Sequence, residues 1–597
     1  MPTRTTRKAP KVAEKVPVTA IVAAVCLGLV LPVAEVPLPT DPVMPLRMLV
    51  LGAALALGLL APSRARLSKR MAIALAVGAV AFVVAALVGR TPLLSLLGRY
   101  PRYEGLPMIA AYAAALAIGA RVLASAQPRR VITSTLALAA LVNGLVAAGQ
   151  AVFAGGDRVT GLLSNSTTLG TFGLVALVVV GWSLLSHARP LLWVGAVAAA
   201  ACIVLSASRG VLVGVGVSVV VAFVLRKRAA TPPRWYALVG AAAVVIAGAL
   251  LVPSTAARVT GSSPFSESTI TGRLMLWRES VQLWLAHPLT GVGPSRFVDA
   301  INPFHTAAWA AAVGPYAPPD SPHDLVLQVV CSTGLLGFAA LIAIGVVAYR
   351  DVLAVRSPQL VVAATVTAGL LATYLTSFTD PITTTLGAFV VGGALAVRHD
   401  EPLRGPVRIA TAAGVGALSL WLGLSLIVGE IQYSRALTAT SPRSPAESAI
   451  AARPWDPDVT RRVAYTVTAL AETSGADITY VLAPLRAACA SLPDSTECMV
   501  TLSTASDVSG DHAAALHAAD AALAADPTNV DAHLARGIAL AELSRTSEAE
   551  AAFLAAAQLR PSAPEPWTDL AKLYDSVGRA TDATAARAKA TELTKRR

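Results

Sequence analysis

Thirteen long apolar stretches constrain this chain more than any other feature of its sequence. A helix needs about 20 mainly apolar residues to cross a bilayer. The stretches lie at 17–34, 46–62, 71–88, 105–123, 131–153, 168–186, 190–206, 209–225, 236–252, 324–349, 359–378, 381–397 and 406–430. Only 14% of the residues are charged, whereas soluble domains carry about a quarter. We therefore predict an all-α, polytopic membrane bundle of about 12–13 spans over 17–430, preceded by a basic N-terminus at 1–16.

The loops between these stretches alternate in their content of Lys and Arg. The N-terminus through Lys15 and the loops at 62–70, 121–130, 186–190, 226–235, 350–358 and 398–408 carry 22 Lys and Arg residues, and the other short loops carry about six. Cytoplasmic loops are enriched in these residues. We therefore predict a cytoplasmic (inner or plasma) membrane protein with its N-terminus inside and its C-terminal domain outside. The first stretch has features of a signal peptide, but we expect it to remain as a span.

From about residue 440 the apolar runs give way to Ala- and Leu-rich amphipathic helices. Two series recur there with a spacing of 34: Pro493, Pro527 and Pro561, and Gly510, Ser544 and Gly578. This is the length of a tetratricopeptide repeat, so we predict such repeats over 455–597, after a linker at 431–454. A generic Ala-rich helical bundle is the alternative. Repeats of this kind bind protein partners but carry no chemistry of their own.

The five cysteines fall into two groups. Cys26, Cys202 and Cys331 lie in or beside apolar stretches, where a thiol packs as a small apolar side chain. Cys489 and Cys498 flank one of the proline turns in the domain expected outside, where disulfides persist. These two are either bonded to each other or two separate buried thiols.

Unusual polar residues gather in the loops that the orientation places outside. These loops are 98–105, 158–165, 206–210 and the long loop at 253–323. Arg209 stands out because it lies between two apolar stretches, at a depth where an unpaired charge costs at least about 2.5 kcal/mol. An arginine in such a place indicates a functional site. The chain lacks the basic stripe with interleaved aromatic residues of a nucleic-acid-binding protein, so no nucleic-acid partner is expected.

Five motifs occur in order in this region: Ser208-Arg209-Gly210, Gly272-Arg273-Leu274-Met275-Leu276-Trp277, His287-Pro288-Leu289-Thr290-Gly291-Val292-Gly293-Pro294, Ser321-Pro322-His323-Asp324-Leu325 and Thr333-Gly334-Leu335-Leu336-Gly337. The ordered set resembles the O-antigen ligase and O-antigen polymerase family, whose members are multi-spanning, GT-C-type glycosyltransferases of the outer membrane face. Two positions depart from that family, which commonly has His-Asn at His323-Asp324 and Asn-Pro at Asn165-Ser166. The acceptor contacts are expected to differ accordingly.

The resemblance implies transfer of a glycan from a polyprenyl-diphosphate donor to a hydroxyl of a glycan, lipid or protein acceptor. The diphosphate is the leaving group, so the site needs cations where negative charge builds. Arginine binds phosphate oxygens bidentately and stays charged, and Arg209 and Arg273 are the predicted catalytic cations. No metal or other cofactor is then expected. Arg278 ranks below Arg273 because a separation of five residues places it on another side of the same helix.

His323 is the predicted base for the acceptor hydroxyl. Ser321 is expected to cap a helix that begins at Pro322, which puts His323 in the first turn, where the helix dipole favours a neutral imidazole. Asp324 acts in the opposite direction, and Glu104 is the second candidate for the base. The residues expected to bind substrate are Arg99, Arg102, Glu104, Arg158, Asn165, Arg278 and Asp324.

Other interpretations stay open. Arg209 forms a buried ion pair with Glu104 or Glu279 in one of them, and His323 is a structural hydrogen-bonding residue in another. A third is a metal site made of His305, Asp320, His323 and Asp324. A transporter of lipid-linked sugars would show inverted repeats with broken helices, and a non-catalytic anchor for the repeats would leave Arg209 unexplained. The motifs do not distinguish a ligase from a repeat-unit polymerase.

Overall fold

The computed structural model describes residues 44–61, 63–100, 103–153, 158–163, 165–185, 187–228, 235–260, 264–313, 319–355, 359–401, 405–439 and 442–596. These residues are helical almost throughout, with one antiparallel pair of two-residue strands, β1 (Ala65–Arg66) and β2 (Val397–Arg398). The all-α class is therefore confirmed for this part of the chain. The predicted span at 17–34 and the basic N-terminus lie outside the described residues.

The first part of the chain forms a bundle of long helices with short helices in the loops. In chain order, the helices are α1 (Met44–Leu60), α2 (Lys69–Val88), α3 (Pro92–Leu97), α4 (Leu106–Val122), α5 (Ala126–Phe153), α6 (Ser166–Leu184), α7 (Pro190–Leu205), α8 (Arg209–Leu225), α9 (Trp235–Leu251), α10 (Pro253–Thr260), α11 (Pro264–Ala286), α12 (Phe297–Ala300), α13 (Ala307–Ala312), α14 (Leu325–Val355), α15 (Leu360–Tyr374), α16 (Pro381–Ala394) and α17 (Gly405–Thr438). Short 3-10 turns follow α8 (Arg226–Arg228) and α12 (Asn302–Phe304).

Twelve of these helices coincide with the predicted spans that fall within the described residues. Six of them, α2, α5, α6, α8 with its 3-10 turn, α14 and α17, are long and apolar enough to cross a membrane. The other six, α1, α4, α7, α9, α15 and α16, are shorter apolar helices. Large apolar side chains point outward from several of them: Val80 is 63% exposed, Leu145 65% and Val224 68%. Such faces suit lipid rather than water.

Helices α4 and α16 approach each other unusually closely. A Cβ atom on Gly119 would lie 2.0 Å from the carbonyl oxygen of Phe389, and one on Gly392 would lie 2.0 Å from the carbonyl oxygen of Leu116. Glycine is therefore required at both places. Small residues that let backbones meet are typical of helix packing in membranes.

The loops that carry the surplus of Lys and Arg meet at one end of the bundle. The pairing of β1 with β2 joins two of these loops. The hydroxyl of Ser63 donates to the carbonyl of Arg121 at 2.8 Å, which adds a third loop. A hydrogen bond from the Ser68 hydroxyl to the Asp351 carboxylate adds a fourth. Spans that alternate in direction would produce this arrangement.

Helix α14 is broken at Gly334, whose φ of 62° and ψ of −163° are not helical. The loop before α12 fills the break. The amide of Val292 donates to the carbonyl of Cys331 at 2.8 Å, and the amide of Leu335 donates to the carbonyl of Pro288 at 2.9 Å. Backbone groups that the break removes from the helix are thus satisfied, as a low-dielectric environment requires.

In the C-terminal residues, α18 (Arg443–Ala452) packs against α17. Four helix pairs follow it: α19 (Pro457–Ser474) with α20 (Thr479–Ser491), α21 (Thr496–Val508) with α22 (His512–Ala525), α23 (Val530–Glu542) with α24 (Thr546–Leu559), and α25 (Glu565–Ser576) with α26 (Ala580–Arg596). The first helices of the last three pairs begin at residues 496, 530 and 565, which are 34 and 35 residues apart. The region expected to be a linker, 431–454, is largely helical, since α17 continues to Thr438 and α18 follows.

The second repeating series has a backbone explanation. Gly510, Ser544 and Gly578 follow the first helix of their pairs, with φ values of 84°, 60° and 76°. Glycine adopts this left-handed conformation with little strain, and it commonly ends helices for that reason. The spacing of 34 therefore reflects a turn geometry that each repeat needs.

Cys489 and Cys498 form a disulfide with their Cα atoms 5.4 Å apart. It closes the loop between α20 and α21. Cys202 and Cys331 are free and buried, as expected of packing residues, and Cys26 lies outside the described residues.

A buried ion network joins the repeats to the loops at the end of the bundle opposite the Lys- and Arg-rich loops. Arg99 lies between Asp299 and Asp458, and all three side chains are 4% exposed or less. One guanidinium nitrogen donates to Asp458 Oδ1 at 2.8 Å. Burial alone would lower the pKa of Arg99, but the two carboxylates raise it well above its usual range. Such a pair is costly to break because either partner alone is an uncompensated buried charge.

A second contact of this interface comes from the disulfide loop. Asp494 accepts from Arg296 Nη2 at 2.5 Å and also pairs with Arg90. The side-chain amide of Asn302 donates to the carbonyl of Asp494 at 3.0 Å. Because Arg296 is only 2% exposed and Asp494 22%, this pair is screened from solvent much more than a surface salt bridge.

Asp494→Asn is expected to weaken the docking of the repeats by about 1–3 kcal/mol, because Arg296 stays buried without its carboxylate. The measurement is hydrogen exchange of the full-length protein, read at α12 and α21. Asp520→Asn is the matched control, since Asp520 pairs with Arg536 within the repeats and is 53% exposed. Equal protection in both variants would mean that the contact does not hold the repeats in place.

Candidate functional site

Arg209 is the first residue of α8, at the end of the bundle where the repeats dock. Its Nε donates to the carbonyl of Arg258 in α10 at 2.6 Å. This hydrogen bond holds the guanidinium of Arg209 in position. The next residue, Gly210, packs against Thr376, whose hydroxyl a Cβ atom would approach to 2.3 Å. The turn after α15 therefore lies directly beside Arg209.

Three further arginines gather around Arg209. Arg273 Nη1 donates to the carbonyl of Thr376 at 2.9 Å. Burial lowers the pKa of Arg273, and the charge of Arg209 lowers it further. Burial also lowers the pKa of Arg158 to about 10, with the charges of Arg258 and Arg273 adding to the effect, although part of its side chain reaches the surface. We call Arg158, Arg209, Arg258 and Arg273 the arginine cluster.

The arginine cluster concentrates positive charge at one place, an arrangement that can bind a multiply charged anion. The charges of Arg209 and Arg258 act on Arg273 and Arg158, respectively, and a bound anion such as a diphosphate would relieve this repulsion while taking several charge-assisted hydrogen bonds. Arg278 is on the same helix as Arg273, but its side chain is exposed and it does not join the cluster.

His323 lies beside the same turn. Its ring centroid is 5.6 Å from that of Phe378, two residues after the Thr376 that Arg273 contacts. On its other side, Trp277 Nε1 donates to the carbonyl of Pro322 at 2.8 Å, which ties the residue before His323 to α11 one turn after Arg273. The structure thus brings the predicted base and the predicted cations to one place.

The predicted helix start at Pro322 is wrong. Helix α14 begins at Leu325, and Asp324 is its cap, accepting from the amide of Leu327 at 2.8 Å. His323 precedes the helix with a φ of 52°, so its ring is not in the first turn. Asp324 is the better cap because its short carboxyl group reaches the third amide of the helix. Burial raises the pKa of Asp324, and its hydrogen bonds from backbone amides oppose this effect.

Glu104 reaches the same turn from the loop before α4. Its carboxylate accepts from Gln328 Nε2 at 3.1 Å and from the hydroxyl of Thr379. Glu104 contacts Thr379 and His323 contacts Phe378, so the two side chains contact neighbouring residues of one turn. Both candidates for the base therefore remain close to the arginine cluster.

Asn165 has a structural role in this site. It caps α6, and its Oδ1 accepts from the amide of Thr167 at 2.8 Å. The hydroxyl of Thr167 in turn accepts from Arg158 Nη2 at 3.2 Å. Asn165 thus positions the residue that holds Arg158.

The other predicted site residues lie elsewhere. Arg99 is in the buried network with Asp299 and Asp458, where both carboxylates occupy its guanidinium, and Arg102 lies outside the described residues. His305 Nδ1 is 2.9 Å from Glu279 Oε2, so Glu279 is engaged there. Within the described residues, no group of three His, Cys, Asp or Glu side chains is close enough to hold a metal ion.

Two parts of the site were missed from the sequence. The predicted span at 359–378 includes Thr376, Ser377 and Phe378, but helix α15 ends at Tyr374 and these residues belong to the polar turn 376–380 before α16. Asp380 caps α16 and accepts from the hydroxyl of Thr168 at 3.2 Å. Arg258 was the other omission, and its only sequence signal was its position in a loop that already held Arg273.

The fold and this site define a polytopic helical membrane protein with a polycationic centre at one end of its bundle. Residues 194–342 match the model of a protein family described as O-antigen ligase. The predicted resemblance is therefore confirmed, and the match supports a membrane glycosyltransferase-like function of the ligase or polymerase type. No curated protein matches the chain.

The repeat region is similar to solved structures of repeat proteins. A thermophilic TPR protein of Thermus thermophilus is 28% identical over 29% of this chain and 88% of its own, with a TM-score of 0.23. MamA MSR-1 is 20% identical over 29% of this chain and 97% of its own, with a TM-score of 0.22. Another crystal structure of MamA is 15% identical over 29% and 91%, with a TM-score of 0.24.

Proposed function

We propose that this protein is an O-antigen ligase-like glycosyltransferase that moves a glycan from a polyprenyl diphosphate to an acceptor hydroxyl on the outer face of the cytoplasmic membrane. The observation that carries the proposal is the arginine cluster beside His323 and Glu104. A diphosphate leaving group needs several cations, and an acceptor hydroxyl needs a base. The base and the cations must lie close enough together for both to act on one reacting sugar.

In the proposed reaction, the acceptor oxygen attacks the anomeric carbon of the glycan while the bond from that carbon to the diphosphate oxygen breaks. The leaving polyprenyl diphosphate keeps the electron pair of the broken bond. Arg209 and Arg273 stabilise the negative charge that builds on the leaving oxygen, and Arg158 and Arg258 hold the second phosphate. His323 takes the proton of the acceptor hydroxyl, with Glu104 as the alternative base.

The acceptor side of the proposal rests on the repeats. They dock through Arg99 and Arg296 onto the loops around the site, so an acceptor or a protein partner held by the repeats would be close to the arginine cluster. This arrangement favours a ligase with a macromolecular acceptor over a polymerase, because a polymerase needs only a second lipid-linked glycan.

The test is a transfer assay in membranes that contain the protein and a polyprenyl-diphosphate-linked glycan. Release of the polyprenyl diphosphate together with a glycosylated acceptor is the expected result. A ligase adds one glycan chain to each acceptor, whereas a polymerase produces a ladder of longer lipid-linked products. Absence of both products with an active membrane preparation would contradict the proposed function.

Two observations support the proposed orientation. The repeats contain the disulfide between Cys489 and Cys498, and disulfides persist outside the cytoplasm. The Lys- and Arg-rich loops meet at the opposite end of the bundle, as expected for the cytoplasmic side.

Labelling of single introduced cysteines tests this orientation. With a membrane-impermeant maleimide, we expect Lys572→Cys in the repeats to react in intact cells and Arg228→Cys to react only after permeabilisation. Both native side chains are exposed, so exposure is matched. Protection of Lys572→Cys in intact cells would place the repeats inside and would contradict the proposed side of the reaction.

A further inference from the structure

A cavity of 310 Å³ lies at the end of the bundle away from the arginine cluster. Five helices, α5, α6, α7, α15 and α16, surround it. Each of these helices has its other end near the arginine cluster. Helix α7 runs between the two places, and its 16 residues give it a length of about 24 Å. The cavity is therefore separate from the candidate active site.

The walls of the cavity divide into an apolar and a basic part. Leu192, Val362 and Val390 line the apolar part. Three arginines and a histidine line the rest, namely Arg129, Arg130, Arg189 and His187, together with the hydroxyls of Thr133, Ser134 and Ser183. None of the described residues that line the cavity is Asp or Glu.

Arg129 is held in place within this cavity. Its Nη1 donates to the carbonyl of Leu123 at 3.0 Å. When the amide of Gln359 is oriented to donate to the carbonyl of Gly393 at 2.8 Å, its oxygen accepts from Arg129 Nε at 3.1 Å. The described residues give Arg129, Arg130 and Arg189 no carboxylate partner. Three cations thus converge on a space that no acidic side chain of the described chain neutralises.

We propose that this cavity binds the phosphate headgroup of an anionic phospholipid. A basic pocket between spanning helices on the cytoplasmic side is the geometry that recognises such headgroups. The apolar wall accommodates the start of an acyl chain, and Trp182 at the cavity suits the interface between headgroup and chain. The source of the phosphate is the membrane, because an apolar wall offers nothing to a free phosphate ion. This site does not depend on the proposed glycosyl transfer.

The experiment uses the purified full-length protein and short-chain phospholipids with eight-carbon acyl chains. The unfolding temperature is measured against the concentration of phosphatidylglycerol, of phosphatidylcholine and of inorganic phosphate. A ligand that binds the folded state raises this temperature in a concentration-dependent way. We expect saturable stabilisation by phosphatidylglycerol alone.

Arg130→Gln/Arg189→Gln is the diagnostic variant. Both side chains are exposed at the rim, so the fold does not depend on them, and we expect at least tenfold weaker binding of phosphatidylglycerol. The matched control is Arg70→Gln/Arg228→Gln, which removes two exposed charges at the same end of the bundle but outside the cavity. Ser134→Trp, which fills the cavity and keeps every charge, is expected to weaken binding as well.

Three results would overturn the proposal. Equal stabilisation by phosphatidylcholine would show that charge is not recognised. Equal loss of binding in the Arg70→Gln/Arg228→Gln control would assign the effect to the general positive charge of this end. Stabilisation by inorganic phosphate that also depends on Arg130 and Arg189 would show that the cavity binds a soluble anion rather than a lipid headgroup.

Discussion

Arg209→Lys is expected to lower glycan transfer about 10²–10³-fold, which is the usual cost of removing one preorganised group that stabilises charge in a transition state. Lysine keeps the positive charge, but it is a point charge that cannot bind two phosphate oxygens in parallel. It also lacks the Nε that donates to the carbonyl of Arg258. The measurement is the initial rate of transfer against donor concentration in membranes with equal amounts of protein.

Arg278→Lys is the matched control for this prediction. Arg278 is an exposed arginine of α11, the helix that also carries Arg273, and we expect its replacement to change the rate less than threefold. Because the arginine cluster supplies the positive charge in the proposed mechanism, wild-type activity should also survive a strong chelator. Transfer by Arg209→Lys at the wild-type rate would make Arg209 a structural residue and would move the diphosphate site elsewhere.

The spans and the repeats could be predicted because both depend on patterns of residues that are close together in the sequence. An apolar run of the length of α2 or α14 has to be a membrane helix or a core helix whatever its neighbours are. The turn positions Gly510, Ser544 and Gly578 could be found because each repeat needs the same left-handed residue at the same place. Neither inference depends on which helices later pack together.

The partners of the polar residues could not be predicted in the same way. Arg99 was expected to bind substrate, but its carboxylates come from Asp299 and Asp458, and the second of these is 359 residues away along the chain. Sequence shows that a charge near the membrane needs a partner, but only the packing of the repeats shows which one. The turn at 376–380 was missed for a similar reason, because its importance comes from the three other loops that contact it.

The pH dependence of the reaction separates the two candidates for the base. His323→Ala is expected to lower transfer about 10²–10⁴-fold, the usual contribution of general base catalysis. Imidazole accepts a proton only when neutral, so wild-type transfer should fall on acidification through the range near pH 6.5, where histidine ordinarily titrates. Glu104 as the base would keep the reaction active to about pH 4.3, where glutamate ordinarily titrates. Glu104→Gln is the matching variant, and loss of activity there with little loss in His323→Ala would reverse the assignment.

Asp324→Asn sharpens this test because it changes the charge beside His323 without removing the cap of α14. In the wild type, the amide of Leu327 donates a hydrogen bond to Asp324 Oδ1 at 2.8 Å. Asparagine caps a helix as well as aspartate does, so this amide keeps an acceptor in the variant. Burial raises the pKa of Asp324, and an ionised carboxylate at the residue after His323 favours imidazolium there. Removing this charge lowers the pKa of a neighbouring imidazole, so the acid limb of the rate profile should move to lower pH by up to about one unit. The maximal rate above that limb should stay within a few-fold of wild type. An unmoved acid limb in Asp324→Asn would mean that the carboxylate of Asp324 does not influence the group that titrates in the profile.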